Sequence, residues 1–349
     1  NSHGFREVSG YKLPEARTFR GLAVLAVLLL VALRAPKKLF RFYILERTEG
    51  VDIERFTKRF LAAAHILPFK IDYLHFCFAT LGVGRENLGR ALGARVSVSF
   101  RGYDIGLFPL SRPGVYASLW KKVDKVHTIS NDLYEKARSL GLPDTVPCVK
   151  IMPAIAPELT ARPRDYRCSH GSLRILTVAR LQWKKGLEVA LDAMAILKSK
   201  GLKFNYTIVG DGIEKERLLF CRYQHRLDEE VVFIGRKQHD EVIELMYSHD
   251  IYIQPSLQEG FCNSVLEAQG SGMLCIVTDA EGLTENVVDK VTGWVVPRGN
   301  ADALASTIVS VSQLSLTERE HVGRTAAERI QREFALERQW REFADFFEG

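Results

Sequence analysis

Two glutamates, Glu259 and Glu267, stand eight positions apart in QPSLQEGFCNSVLEAQGSG, on either side of the pair Gly260-Phe261. Carboxylates so placed either satisfy backbone N–H groups or accept hydrogen bonds from a ligand's hydroxyls. Taken alone, Ser264-Val265-Leu266-Glu267 reads as a capping box, with Glu267 reaching back to the Ser264 N–H. Three further segments bring in the second reading. Arg180 and Lys185 lie in ARLQWKKG, Gly210-Asp211-Gly212 in VGDG and Arg236 in IGRKQH, each just after a short apolar run. Singly, each has an ordinary explanation: surface cations are normally solvated, and a Gly-Asp-Gly turn is common. In order, at one edge of one sheet, they describe a site for a nucleoside diphosphate carrying a sugar. Arginine offers a fork and lysine a point charge to the diphosphate. A glycine turn lets backbone approach the ligand. Backbone N–H groups at Gly260, Phe261 and the helix start Asn263, Ser264 and Val265 add a partial positive end. Carboxylates repel phosphate, so Glu267 is expected on ribose hydroxyls and Glu259 on those of the sugar beyond.

The elements that must hold these groups follow from the pattern of apolar runs. From about residue 70, short β-rich runs alternate with helical stretches; a polar, Pro- and Arg-rich linker around 157–172 intervenes, and the pattern restarts. Continuous apolar strands separated by helices mean parallel sheets covered on both faces. The expected class is α/β, with two doubly wound domains facing each other across a cleft and ligands at the carboxyl ends of the strands. The boundaries expected are 1–160 for the first domain, 170–332 for the second, and 333–349 for a helix returning to the first. Residues 1–60 read as basic and mostly helical, without the strand and glycine turn that open such a domain. The first domain is therefore expected to be incomplete at its amino end.

At 349 residues the chain suits two domains. Its six cysteines, Cys77, Cys148, Cys168, Cys221, Cys262 and Cys275, show no zinc-like spacing and read as reduced thiols of a cytoplasmic protein. Residues 1–160 carry 24 Lys and Arg against 14 Asp and Glu, whereas 161–349 carry 24 against 28. A basic half implies nucleic acid, an anionic membrane surface or an acidic substrate. No nucleic-acid-binding motif accompanies it, which disfavours the first. The apolar run Gly21–Leu33, flanked by Arg17, Arg20, Arg34, Lys37 and Lys38, is too short to span a bilayer. A buried helix is the first expectation for it, and a helix lying on the inner face of the membrane the second. No D-x-D triplet occurs, so neither a metal nor any other cofactor is expected.

The stretch from about Arg174 to Pro297 resembles the donor domain of retaining glycosyltransferases of family 4, the glycosyl transferases group 1, which have the GT-B fold. ARLQWKKG, VGDG, EGFCNSVLE and VTDAEGLTENVVDKVTGWVVP carry the resemblance, and SFRGYDI and HTISNDLYEKARSLGLP are similar to the later part of the acceptor domain. The resemblance implies that Arg180 and Lys185 hold a diphosphate, that Glu259 and Glu267 are the family's two glutamates, and that the base rests against the loop Gly235 to Gln238. It implies transfer of a hexose, with retention, from a UDP or GDP sugar to a glycan or lipid-linked acceptor in polysaccharide or glycolipid synthesis. Where relatives commonly carry a histidine, this chain has Arg101, with Asp104 retained; both are expected at the acceptor side. The competing expectation is a nucleotide-sugar-binding or scaffold protein of the same fold. A phosphorylase-like enzyme ranks third, for want of a pyridoxal-binding lysine motif.

Overall fold

A computed structural model describes residues 17–156, 162–167 and 171–348. Cys168, part of the linker and the first sixteen residues lie outside the described residues. The chain divides into two compact units, one running up to Thr128 and including Tyr134–Val149, the other comprising Ile129–Leu133 and everything from Lys150 on. The last helix, Leu336–Glu348, is grouped with the second unit, and its Gln339 Nε2 donates at 2.8 Å to the carbonyl of Met152, a residue inside the 1–160 span expected for the first domain.

The first unit opens with three helices, Arg17–Arg34, Pro36–Thr48 and Ile53–Ala63. Pro36 starts the second helix, where its missing N–H would have no partner anyway. Asp52 caps the third by accepting from Arg55 N at 2.8 Å. Their apolar faces meet at Val31, Phe42, Phe56 and Phe60, over Leu67 and Leu88. The run Gly21–Leu33 is not the buried helix expected first. Val27, Leu28 and Val31 pack inward, while Leu22, Leu25, Leu29 and Leu33 are 66%, 53%, 54% and 83% exposed. Among the described residues no helix is long and apolar enough to cross a membrane.

Four strands follow, β1 (Tyr73–Phe76), β2 (Arg95–Phe100), β3 (Lys125–Thr128) and β4 (Cys148–Lys150), in that spatial order, with β1, β2 and β3 parallel. At the carboxyl end of β2 lies the Arg101–Asp104 segment. Asp104 is fully buried and accepts from Arg101 N at 3.1 Å and from Thr80 N and Oγ1 at 3.3 and 2.9 Å. It was expected to contact substrate; with both oxygens engaged by the chain's own donors, it fixes the loop instead. Arg101 is exposed and its guanidinium lies over the Phe78 ring, 5.4 Å from the centroid, not on the Asp104 carboxylate. Helix Asn131–Ser139 takes its cap from Ser130, whose hydroxyl accepts from Leu133 N at 3.3 Å.

The second unit holds β5 (Leu173–Val178), β6 (Phe204–Val209), β7 (Val231–Phe233), β8 (Ile251–Gln254), β9 (Leu274–Thr278) and β10 (Trp294–Val296). They form one parallel sheet in the order β10-β9-β8-β5-β6-β7. Apolar layers cover both faces, one around Leu191, Met194 and Ile308, the other around Met246, Val265 and Leu283. The chain builds outward from β5 through β6 to β7, then returns to place β8 on the other side of β5. Loops leaving β5 and β8 therefore diverge and open a crevice at the carboxyl edge, where such sheets bind ligands.

Candidate functional site

That crevice is where the residues singled out by type and spacing collect. Arg180 and Lys185 leave the end of β5, and Glu259 and Glu267 leave the end of β8. Two glycines hold the loops together. Gly186 has φ +61°, and a Cβ there would stand 2.0 Å from the Pro255 carbonyl oxygen; Gly210 has φ +136°, and a Cβ would stand 1.9 Å from that of Ala179. No other residue allows both the backbone angle and the approach. The β5 and β8 loops are then joined by Leu257 N, which donates to the Lys184 carbonyl at 2.8 Å. The β6 loop joins through Leu181 N, which donates to the Asp211 carbonyl at 3.0 Å. Asp211 itself turns back to accept from Gly212 N at 2.9 Å, with exposed Arg236 4.0 Å away.

The two cations differ. Lys185 is buried and ion-paired with Glu259, with 10% and 12% of their side chains exposed. Burial works against its charge, but Cys262 and Glu259 outweigh burial and hold the ammonium above the ordinary lysine range. Lys184 beside it is pushed down by burial and by its positive neighbours. Arg180 is exposed, and among the described residues its guanidinium has no ion-pair partner. It is thus available to an anion without first breaking a contact.

The two carboxylates differ as well. The expected capping box does not form. Helix Asn263–Gly270 is preceded by Cys262 as N-cap, with no side-chain cap. Ser264 donates its hydroxyl to the Val178 carbonyl at 3.1 Å and accepts from the Tyr252 hydroxyl at 2.9 Å, so its side chain is committed to the β5–β8 seam. Glu267, freed of the cap, is half-buried and has no hydrogen-bond or ion-pair partner among the described residues. Burial raises its pKa above the ordinary carboxylate range, with His239 opposing. A half-buried carboxylate with vacant lone pairs is an acceptor awaiting hydroxyl donors. The uncapped first turn leaves N–H groups of Asn263 and Ser264 without intrahelical acceptors. Of the remaining expected contacts, Val265 is a core residue and Phe261 packs its ring 6.0 Å from that of Phe334. Only their backbones are of use to a ligand.

Several residues that shape the site escape sequence reasoning. Gln254 Oε1 lies 3.0 Å from the Tyr252 hydroxyl, whose one proton it shares with Ser264, and Gln254 Nε2 donates to Ser256 Oγ at 2.9 Å, forming a buried polar line beneath the β8 loop. Asn286 clamps Cys262, accepting from its N–H at 3.1 Å and donating to its carbonyl at 3.2 Å. Glu281 accepts from Glu259 N at 2.8 Å. The signals were a tyrosine and a glutamine inside the otherwise apolar strand DIYIQP, and, for Glu281 and Asn286, their place in the stretch VTDAEGLTENVVDKVTGWVVP.

Residues 162–329 match the family described as glycosyl transferases group 1. A putative colanic acid biosynthesis glycosyltransferase, WcaL of Escherichia coli K12, is 30% identical over 278 residues, 76% of this chain and 68% of its own. The amylovoran biosynthesis glycosyltransferase AmsK of Erwinia amylovora is 30% identical over 263 residues, 72% of this chain and 64% of its own. The crystal structure of Anabaena HepE in complex with UDP and glucose superposes with a TM-score of 0.70 at 16% identity, over 84% of this chain and 81% of that one. The fold is GT-B, as the resemblance to family 4 implied. By sequence and by fold together, this chain belongs to the group 1 glycosyltransferase family.

Proposed function

We propose that the chain transfers a hexose, with retention, from a nucleoside diphosphate sugar to a glycan or lipid-linked acceptor. One observation carries the reading. At the switch point of the second sheet, a guanidinium (Arg180) just past β5 and a half-buried carboxylate (Glu267) in the helix that follows β8 both stand without a partner among the described residues. Phosphate suits the first and ribose hydroxyls the second. WcaL and AmsK are named for polysaccharide synthesis, and HepE was crystallised with UDP and glucose, which supports a sugar nucleotide as donor. In the proposed reaction the bond from anomeric carbon to diphosphate oxygen breaks, and the acceptor oxygen bonds to that carbon on the same face. The acceptor proton passes to the departing phosphate. Arg180, Lys185 and the first turn of helix Asn263–Gly270 would stabilise the leaving charge as preorganised dipoles and cations, in place of a metal ion. Lys185 would let go of Glu259 as the diphosphate arrives, leaving Glu259 to the sugar hydroxyls, and the base would lie near Arg236.

The test is calorimetric. Arg180→Ala is expected to weaken UDP or GDP binding by about 1.5–3 kcal/mol while leaving nucleoside binding unchanged. Equal losses for nucleotide and nucleoside would sink the assignment. The acceptor side of the proposal rests on the first helix. Its exposed leucines, with exposed Phe40, Lys37 and Arg41 on the helix that follows, suit an anionic bilayer surface. Co-sedimentation with anionic vesicles should be strong at low salt and fall when Leu25 and Leu29 are both changed to Ser. Binding indifferent to both salt and these changes would dismiss the membrane contact.

A further inference from the structure

The helices that follow the β5 and β6 loops, Leu187–Ser199 and Lys215–Gln224, pack side by side on the second unit. Their outer seam carries a group that the transfer chemistry does not use. Cys221 lies in the last turn of the second helix and His225 is its C-cap four positions on, so both face the same side. Asp192 comes from the first helix. The three are half-buried, and a ligand atom from each (Sγ, a ring nitrogen and a carboxylate oxygen) lies within 4.8 Å of the others. His225 Nε2 and Asp192 Oδ1 are already 2.8 Å apart.

We propose that Asp192, Cys221 and His225 form a binding site for a divalent ion of the zinc class. Thiolate, imidazole and carboxylate are the ligand types zinc takes, and the Cys-x-x-x-His spacing lets one helix supply two of them. Zinc bond lengths place ligands roughly 3.5 Å apart around a tetrahedron. The observed separations approach that with small side-chain rotations, and the ion takes the place of the hydrogen bond between His225 and Asp192. Magnesium and calcium are excluded by chemistry, because they require mostly oxygen ligands and only one carboxylate is present. Three protein ligands leave a fourth position for water. Binding releases the Cys221 proton to solvent and ties together the two helices that lead out of the loops holding Lys185 and Gly212. The site thus acts as a staple on the second unit and is independent of the proposed transferase reaction.

The experiment uses the full chain without an affinity tag, stripped with a chelator and titrated with cobalt. Expected are a near-ultraviolet thiolate-to-cobalt band saturating at one ion per chain in the micromolar range, and its loss when zinc is added. Cys221→Ser should abolish the band, and His225→Ala should weaken the visible tetrahedral bands. In chelator Cys221→Ser should melt like the parent protein, and His225→Ala slightly lower, because it loses the hydrogen bond to Asp192. Zinc should raise the melting temperature of the parent by a few degrees and that of Cys221→Ser not at all. A band that survives in Cys221→Ser would place the metal on another cysteine and overturn the proposal. So would the absence of saturable binding in the micromolar range.

Discussion

The loops at the carboxyl ends of β2 and β8 are built alike and end in opposite states. Each leaves a buried parallel strand, turns through glycine and enters a short helix carrying a carboxylate. After β2, Asp104 is closed off: the chain's own N–H groups and the Thr80 hydroxyl occupy both oxygens. After β8, the serine that could have engaged Glu267 is drawn down to Val178 and Tyr252, and the carboxylate is left open. A carboxylate saturated by its own backbone holds a loop in place. One that is desolvated and unpartnered stores a demand that a ligand can meet. Glu259 is a third case, closed by a cation, Lys185, and not by backbone donors alone.

This contrast is most severely tested at Glu259. Glu259→Gln leaves the Lys185 ammonium buried without its counter-charge, so stability is expected to fall by about 3–5 kcal/mol in urea denaturation. From sequence alone the same change would be expected to spare binding of free nucleotide and reduce transfer. An unchanged urea midpoint would mean that the ion pair contributes nothing. Next in size is Asp104→Ala, which orphans two backbone N–H groups and a hydroxyl. A loss of about 3 kcal/mol is expected, and an undiminished midpoint would remove Asp104 from the closed class.

The smallest effect on stability, and the sharpest, is at Glu267. Its folded pKa is raised by burial, so between the ordinary carboxylate value and that raised value the folded chain holds more protons than the unfolded one. Stability from this group is therefore present at acid pH and lost as pH rises through the folded pKa. Glu267→Gln removes that loss: the variant should melt level with the parent near pH 4 and at or above it at pH 8. Nucleotide affinity should nonetheless drop about 10-fold, the magnitude of one hydrogen bond to a charged group. A variant that melts lower at pH 8 and binds nucleotide normally would restore Glu267 to a structural role.

Much of the architecture was legible because parallel sheets write themselves as continuous apolar runs. LRILTV, FNYTIV and LCIVT became β5, β6 and β9, and the tail resolved into three helices. The loops carrying Arg180, Lys185, Glu259 and Glu267 could be placed at one sheet edge, since each directly follows a strand. The state of each side chain could not be read this way. Ser264 and Glu267 match a capping box perfectly well as a pattern, but a tyrosine twelve residues upstream and a carbonyl eighty-six residues upstream compete for the same hydroxyl.

Local sequence, then, determined the alternation of strands and helices and the chain order of the candidate ligands, because backbone propensity and apolar periodicity act over a few residues. The tertiary structure alone decided which carboxylates are engaged. Lys185 meets Glu259 across 74 positions, Thr80 reaches Asp104 across 24, and Asp192 meets His225 across 33. It also decided that one face of the first helix is exposed while Val31 is buried. Hydrogen bonds and ion pairs are satisfied by whatever donor stands within about 3 Å in space, and sequence distance does not enter that condition.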